Sequence, residues 1–284
     1  MIVIPQAFVL TEAATATPLT HPRIGYQTWL RDLLASAVTV STEDDDGPKD
    51  APLRPDTAEY WQPTALPATW EVDLGAARAI DYVGVAGHTL GTAGASIKVE
   101  TSDGSLAGSP EEQVWTTFAS ELLPSDDAPL LFLDDEVSQR YLRLTLAAGG
   151  GGDGSMPKIA VVYAGQVLKM SRPIYGGHGP MTLSRETVLH RSLSRGGQFL
   201  GQGFRRHGVV GSAAFRHLTS SFYRASFDPF VKAARQYPFF FGWRPADFPL
   251  EIAYAWCPDD IRPSNMGIRD FMQVSFNMHG IGHE

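Results

Sequence analysis

Residues able to do chemistry are sparse in this chain of 284 residues and poorly grouped. The acidic stretch STEDDDGPKD (41–50) has three consecutive aspartates, Asp44, Asp45 and Asp46, whose oxygens calcium could use. Its spacing is not that of an EF-hand loop, and a charge run of this kind reads first as a solvated turn. His178, His190, His207 and His217 lie in one half of the chain, but no fixed spacing brings them to one metal. His88, in AGHTLG, reads as a turn residue after a core strand. The single cysteine, Cys257, excludes a disulfide framework and a cysteine-based zinc site, and its apolar surroundings suggest a buried, inert thiol. There is no G-x-S-x-G, H-E-x-x-H or C-x-x-C. GGGGDGS (149–155) is not followed by Lys-Ser/Thr, and the glycines of GGQFLGQG (196–203) do not fit a dinucleotide loop. The expectation is a protein that is not an enzyme, with no cofactor and no bound metal.

Aromatic surface is concentrated instead. Residues 237–258 read YPFFFGWRPADFPLEIAYAWCP. A membrane helix needs about 20 consecutive apolar residues, and here Arg244, Asp247 and Glu251 interrupt while Pro245 and Pro249 break any helix. The N-terminal MIVIPQAFVL has no basic leader region and carries Pro5, so neither a signal peptide nor membrane insertion is expected. The aromatic stretch therefore reads as strand, turn and strand. Phe239, Phe240, Phe241, Trp243 and Arg244 are candidates for a subunit interface, where Phe, Trp and Arg are enriched. The alternative, that all these rings fill the core, stays open. Tyr26 and Trp61 are candidate loop aromatics of the kind that stack on sugars, with packing under the loops as the alternative.

Charge divides the chain. Residues 1–165 carry 9 Lys+Arg against 23 Asp+Glu and residues 166–284 carry 14 against 8, so that −14 and +6 make the net −8. Two domains with different neighbours are expected, 1–165 and 166–284. The basic half has no basic helix and no nucleic-acid motif, which argues against nucleic acid as a partner.

The elements that must position these residues read as mainly β. TWEVDLG, AIDYVGVAGH, ASIKVETSDG, QVWTTFA, PLLFLDD, RYLRLTLAA and KIAVVYAGQVLKM follow one another with turn residues between them and no helix of ordinary length, the pattern of an antiparallel sandwich. GGGGDGS reads as a flexible connection between two late strands. In the second half, TLSRETVLHRSLS alternates and GGQFLGQGFRRHG reads as a hairpin or irregular ribbon. SFDPFVKAARQYP (226–238) is the one predicted helix, with Asp228 at its N-cap and Pro229 in its first turn. MQVSFNMHG (272–280) is the last strand.

Two resemblances follow from these stretches. HPRIGYQTW, YWQPTALPATWEVDLGAARAIDYVGVAGHTL, SIKVETSDG and QRYLRLTL resemble the galactose-binding-like jelly roll of discoidin-type modules. That implies a sandwich whose end loops bind sugars, lipids or proteins. GQVLKMSRPIYGGHGP, SLSRGGQFLG, DPFVKAARQYPFFFGWRP, the Tyr-Ala-Trp strand and VSFNMHGIG resemble minor tail-tip proteins of long-tailed bacteriophages, of the ring-forming distal-tail class. That implies a structural protein of the virion tail tip, made in the host cytoplasm. Its partners would be copies of itself in a homo-oligomeric ring, the tail tube, and tape-measure or hub proteins, with a host surface glycan as a further candidate. The alternative function is a carbohydrate-binding module recognising surface glycans.

Overall fold

The computed structural model describes residues 17–108, 112–126, 129–267 and 270–281, with the backbone alone at 204–207. The N-terminal stretch considered above as a leader lies outside the described residues. The strands in chain order are β1 (Arg23–Gly25), β2 (Val38–Val40), β3 (Ala68–His88), β4 (Ala95–Ser102), β5 (Leu106–Ala107), β6 (Glu112–Gln113), β7 (Thr116–Leu122) and β8 (Leu130–Ala148). They continue with β9 (Ile159–Gly165), β10 (Leu168–Lys169), β11 (Arg185–Leu193), β12 (Phe199–Thr219), β13 (Phe239–Gly242), β14 (Ile252–Trp256), β15 (Arg262–Asn265) and β16 (Phe271–Ile281). The protein is mainly antiparallel β, as the sequence pattern predicts.

The first sheet has the order β2-β3-β8-β4-β7, with β9 also on β3. Its two long strands, β3 and β8, run together and slip register between Asp73 and Arg78. Such a bulge bends and twists a strand pair. Before the slip β3 pairs with β2, and after it with β9. The two halves close on one core in which Trp70, Val72, Leu142 and Leu144 meet Val83, Val85, Phe132 and Val162. In the first half of β3 the alternation is clean, apolar inward and Glu71 or Asp73 outward. From Ile80 onward in β3, and throughout β9, every residue but Gly87 is buried. A strand reads this way when both its faces are covered.

What covers the second face is the other sheet, of order β10-β1-β13-β14-β16-β12-β11 with β15 on β16. Tyr82, Leu131, Val161 and Tyr163 from the sandwich pack against Phe240, Ile252 and Tyr254. The tyrosine hydroxyls in this seam are satisfied: Tyr82 donates to Gln27 O (2.6 Å) and Tyr254 to Pro55 O (2.6 Å). The far face of the second sheet carries the helix, with Phe227, Phe230 and Val231 over Phe215, Phe239, Phe241 and Phe276. The layers are therefore sandwich, sheet and helix.

Three expectations change. The first strand, β1, pairs with β13 and β10, so the early residues Arg23–Gly25 belong to the second sheet and a cut at residue 165 does not separate the two sheets. The helix begins earlier than Asp228. It opens at Ser220 with Thr219 as its cap, accepting from Phe222 N, and passes through a π turn at Tyr223–Phe227 before Asp228–Ala234. The wider turn bonds Asp228 N to Tyr223 O, and Pro229, which has no N–H, follows it inside the helix. The glycine connection at 149–155 is held by backbone bonds, Gly149 N to Gly94 O and Asp153 N to Thr92 O, rather than hanging free.

Candidate functional site

The residues singled out from the sequence do not form one site. Phe239, Phe240 and Phe241 are 0%, 0% and 2% exposed, all against the chain's own residues. Strand alternation sends Phe239 and Phe241 to the helix side and Phe240 to the sandwich side. The open alternative, rings as core, accounts for these three, and they leave no surface for another subunit. Trp243 and Arg244 are only partly covered. Trp243 stacks on Phe248 (4.9 Å between centroids, 8° apart) and donates to Glu251 (2.5 Å), while Arg244 pairs with Asp247 at 2.6 Å. Trp61 is fully buried, with its indole N–H directed at Thr42 O (3.3 Å), so it pins the acidic loop from beneath and offers no face to a sugar. Tyr26 is half-buried with its ring edge on Phe230 (5.5 Å), at the second sheet rather than in a sandwich loop, and burial raises its pKa.

The acidic loop is a turn. Asp44 Oδ1 accepts from Asp46 N and Glu43 Oε1 from Lys49 N. Among the described residues no three His, Cys, Asp or Glu side chains converge as a metal site. His88 is buried beside Asp126 (3.9 Å). The Cys257 thiol is pushed up to about 12 by burial, which keeps it protonated and unreactive.

Two surfaces missed by the sequence reading have the character of binding faces. The first is the outer face of the sandwich, where outward residues of β3, β8 and β4 form a polar network. Glu100, 6% exposed, accepts from Arg143 Nε (2.9 Å), Lys98 Nζ (2.7 Å) and Thr145 Oγ1 (2.9 Å). Burial alone would raise this carboxyl; the three hydrogen bonds outweigh it and hold the pKa low. Half-buried Trp115 lies at the rim, with the Arg143 guanidinium 4.0 Å from its ring. These residues alternate with apolar ones as any outward positions of a strand do, so nothing in the pattern distinguished this face or showed that Glu100 is buried.

The second surface is a ribbon. Among the described residues β12 pairs with β16 from Gly208 onward, and its earlier part, from Phe199, has β11 as its one neighbour. Two strands therefore continue past the sheet to a turn closed by Gly197 N to Ser194 O (2.9 Å). Leu193 lies opposite Phe199 at the tip. Leu193, Phe199 and Leu200 are 60%, 64% and 64% exposed. Residues 185–207 hold five arginines (185, 191, 195, 205 and 206) against Glu186 alone. An isolated two-stranded ribbon is marginal in water, and exposed apolar groups on one mark a contact surface. The glycine-flanked turn was legible in sequence; that no other described residue covers it was not.

No protein-family profile and no curated protein matches the sequence. Solved structures do. Chitosan-binding module 1 of a chitosanase/glucanase from Paenibacillus sp. IK-5 is 12% identical, covering 49% of this chain and 99% of that one at a TM-score of 0.40. The Clostridium perfringens protein CpGH89CBM32-4, in complex with glcNAc-alpha-1,4-galactose, is 18% identical, with 49% and 93% covered and a TM-score of 0.38. A Ruminococcus gnavus GH29 fucosidase is 18% identical at a TM-score of 0.38, but the match spans 26% of its length and 49% of this chain. None of these likenesses decides the ligand of this chain, and nothing matched supports a phage tail protein.

Proposed function

We propose that the protein works by association rather than catalysis, as a structural subunit of a multi-copy assembly. The β11–β12 ribbon of one copy docks on the sandwich of the next. The carrying observation is the ribbon itself, which holds out Leu193, Phe199 and Leu200 on a strand pair that no other described residue covers. Charge supports the choice of a second copy as occupant: the ribbon has five arginines against one glutamate, and residues 1–165 are net −14. Such a contact joins two different patches, so repeated copies close into a ring or extend as a filament. A ring at a virion tail tip is the setting that the tail-tip resemblance implies. The test is mass by light scattering after size exclusion. Oligomers that fall to monomer in Leu193→Ser/Phe199→Ser support the reading. A wild-type protein that stays at monomer mass up to high concentration overturns it.

A second reading is glycan recognition by the sandwich. One observation favours it: Trp115 beside the Glu100–Arg143–Lys98 network combines an aromatic ring with polar groups suited to sugar hydroxyls. Thermal shifts with a glycan panel that vanish in Trp115→Ala would support it, and no shift with any glycan would count against it.

A further inference from the structure

We propose that the hollow beside the β12 bulge binds a compact anionic ligand, one carrying a carboxylate or phosphate. This does not rest on the assembly reading. The register between β12 and β16 slips between Phe215 and Leu218, which throws Arg216 and His217 out of the ladder. They line a hollow of about 380 Å3 together with Arg172, Tyr175 and Phe271. Among the described residues no carboxylate lines it. The Arg216 guanidinium carbon lies over the Tyr175 ring at 4.0 Å, a contact that restrains the side chain beside the hollow. A guanidinium restrained on a ring is suited to bidentate capture of an oxyanion.

The charges here are uncompensated. Arg140, Arg143, Arg235 and Arg244 each have a carboxylate partner. Among the described residues neither Arg172 nor Arg216 has one, nor does Arg262, which shares an adjoining hollow of about 290 Å3 with Arg216. The nearby Asp270 carboxylate is engaged by the Ser220 hydroxyl. The backbone adds an independent observation. His217 (φ 59°) and Asp270 (φ 53°) are the non-glycine residues with positive φ among those described, and both flank this hollow. A left-handed histidine is an unfavourable conformation that persists where the surroundings impose it, and such residues gather at ligand sites. Aromatic walls from Tyr175 and Phe271 would bracket the body of the ligand while the cations take its charge.

The experiment titrates the full chain with inorganic phosphate, glucuronate and, as neutral control, glucose, at constant ionic strength, reading NMR amide shifts at Arg216, His217 and Phe271. Saturable shifts with phosphate or glucuronate, absent with glucose and weakened at least tenfold in Arg216→Gln and in Arg172→Gln, are expected. Saturation by glucuronate alone identifies the carboxylate source, and by phosphate alone the phosphate source. His217→Gly should keep the fold and weaken binding, since it frees the bulge. The proposal is overturned if neither anion saturates, if chloride acts equally, or if either arginine variant with wild-type circular dichroism binds as tightly as wild type. Should Arg216→Gln fail to fold, Arg172→Gln decides.

Discussion

The Phe240 ring lies directly on Gly84: a Cβ built at Gly84 would come within 2.6 Å of the ring carbon Cε2. The same arrangement is repeated nearby, where a Cβ at Gly25 would meet Tyr82 Cε2 at 2.6 Å. One ring comes from each sheet and each rests on a glycine of the other. Gly84→Ala should therefore push the sheets apart, and Phe240→Ala should leave a cavity costing about 3–5 kcal/mol. Urea unfolding by fluorescence and circular dichroism checks this. Because the ring joins both sheets, the two probes should move together, and loss of only one transition would contradict the shared seam.

Asp81 gives a second prediction. It is 4% exposed, accepts from Val167 N (2.7 Å), and pairs with Lys169 at 3.3 Å. Burial raises its pKa despite those partners. Asp81→Asn keeps an acceptor for Val167 and should be nearly neutral in stability. Asp81→Leu strands that N–H and should cost about 1–3 kcal/mol. Comparing the two by denaturant titration separates hydrogen bond from charge.

His178 makes stability depend on pH. Its ring is packed on Phe241 and Trp243, with Nδ1 2.7 Å from Ser212 O, and burial holds its pKa below the ordinary 6.5. The folded state therefore resists a proton that the unfolded chain accepts. The stabilisation is present above 6.5 and is lost as pH falls from there through the lowered folded value. Thermal unfolding between pH 8 and 5 should show the decline, and His178→Gln should flatten it.

At the ribbon tip, stability and association should separate. Leu193→Ser and Phe199→Ser remove side chains that are mostly exposed, so the monomer should change by no more than about 0.5 kcal/mol. Self-association should fall sharply. A large loss of thermal stability in dilute monomer would instead place those residues in a core.

Much of the fold was legible because alternation was kept where one face meets solvent, as in TWEVDLG and RYLRLTL. It was less legible where both faces are buried. KIAVVYAG and PFFFG read simply as apolar, and the division of Phe240 from Phe239 and Phe241 depends on which layer lies on each side. β1 could not be read, since three residues carry no period and its partner strand lies far along the chain. The helix start was hidden by the π turn, which set Pro229 inside the helix rather than at its first turn. Candidate site residues were the least legible. Trp61 and Tyr26 looked like loop aromatics because composition does not reveal burial. Arg216 was not singled out, and His217 only as one of four scattered histidines, because a bulge has no composition of its own.

The pairing of Ile24 with Phe241 has a consequence for synthesis. On the ribosome the sandwich strands all emerge before β13, and they can close on one another as they appear. The Arg23–Gly25 segment can meet β10 once residue 169 is out, but its other edge stays open until Phe239–Gly242 of β13 follow. Until then Tyr82, Leu131 and Val161 face water. The nascent protein thus carries a sticky apolar face from the completion of β9 until Phe240, Ile252 and Tyr254 follow, and slow elongation or early termination in that interval should favour aggregation or chaperone capture over release.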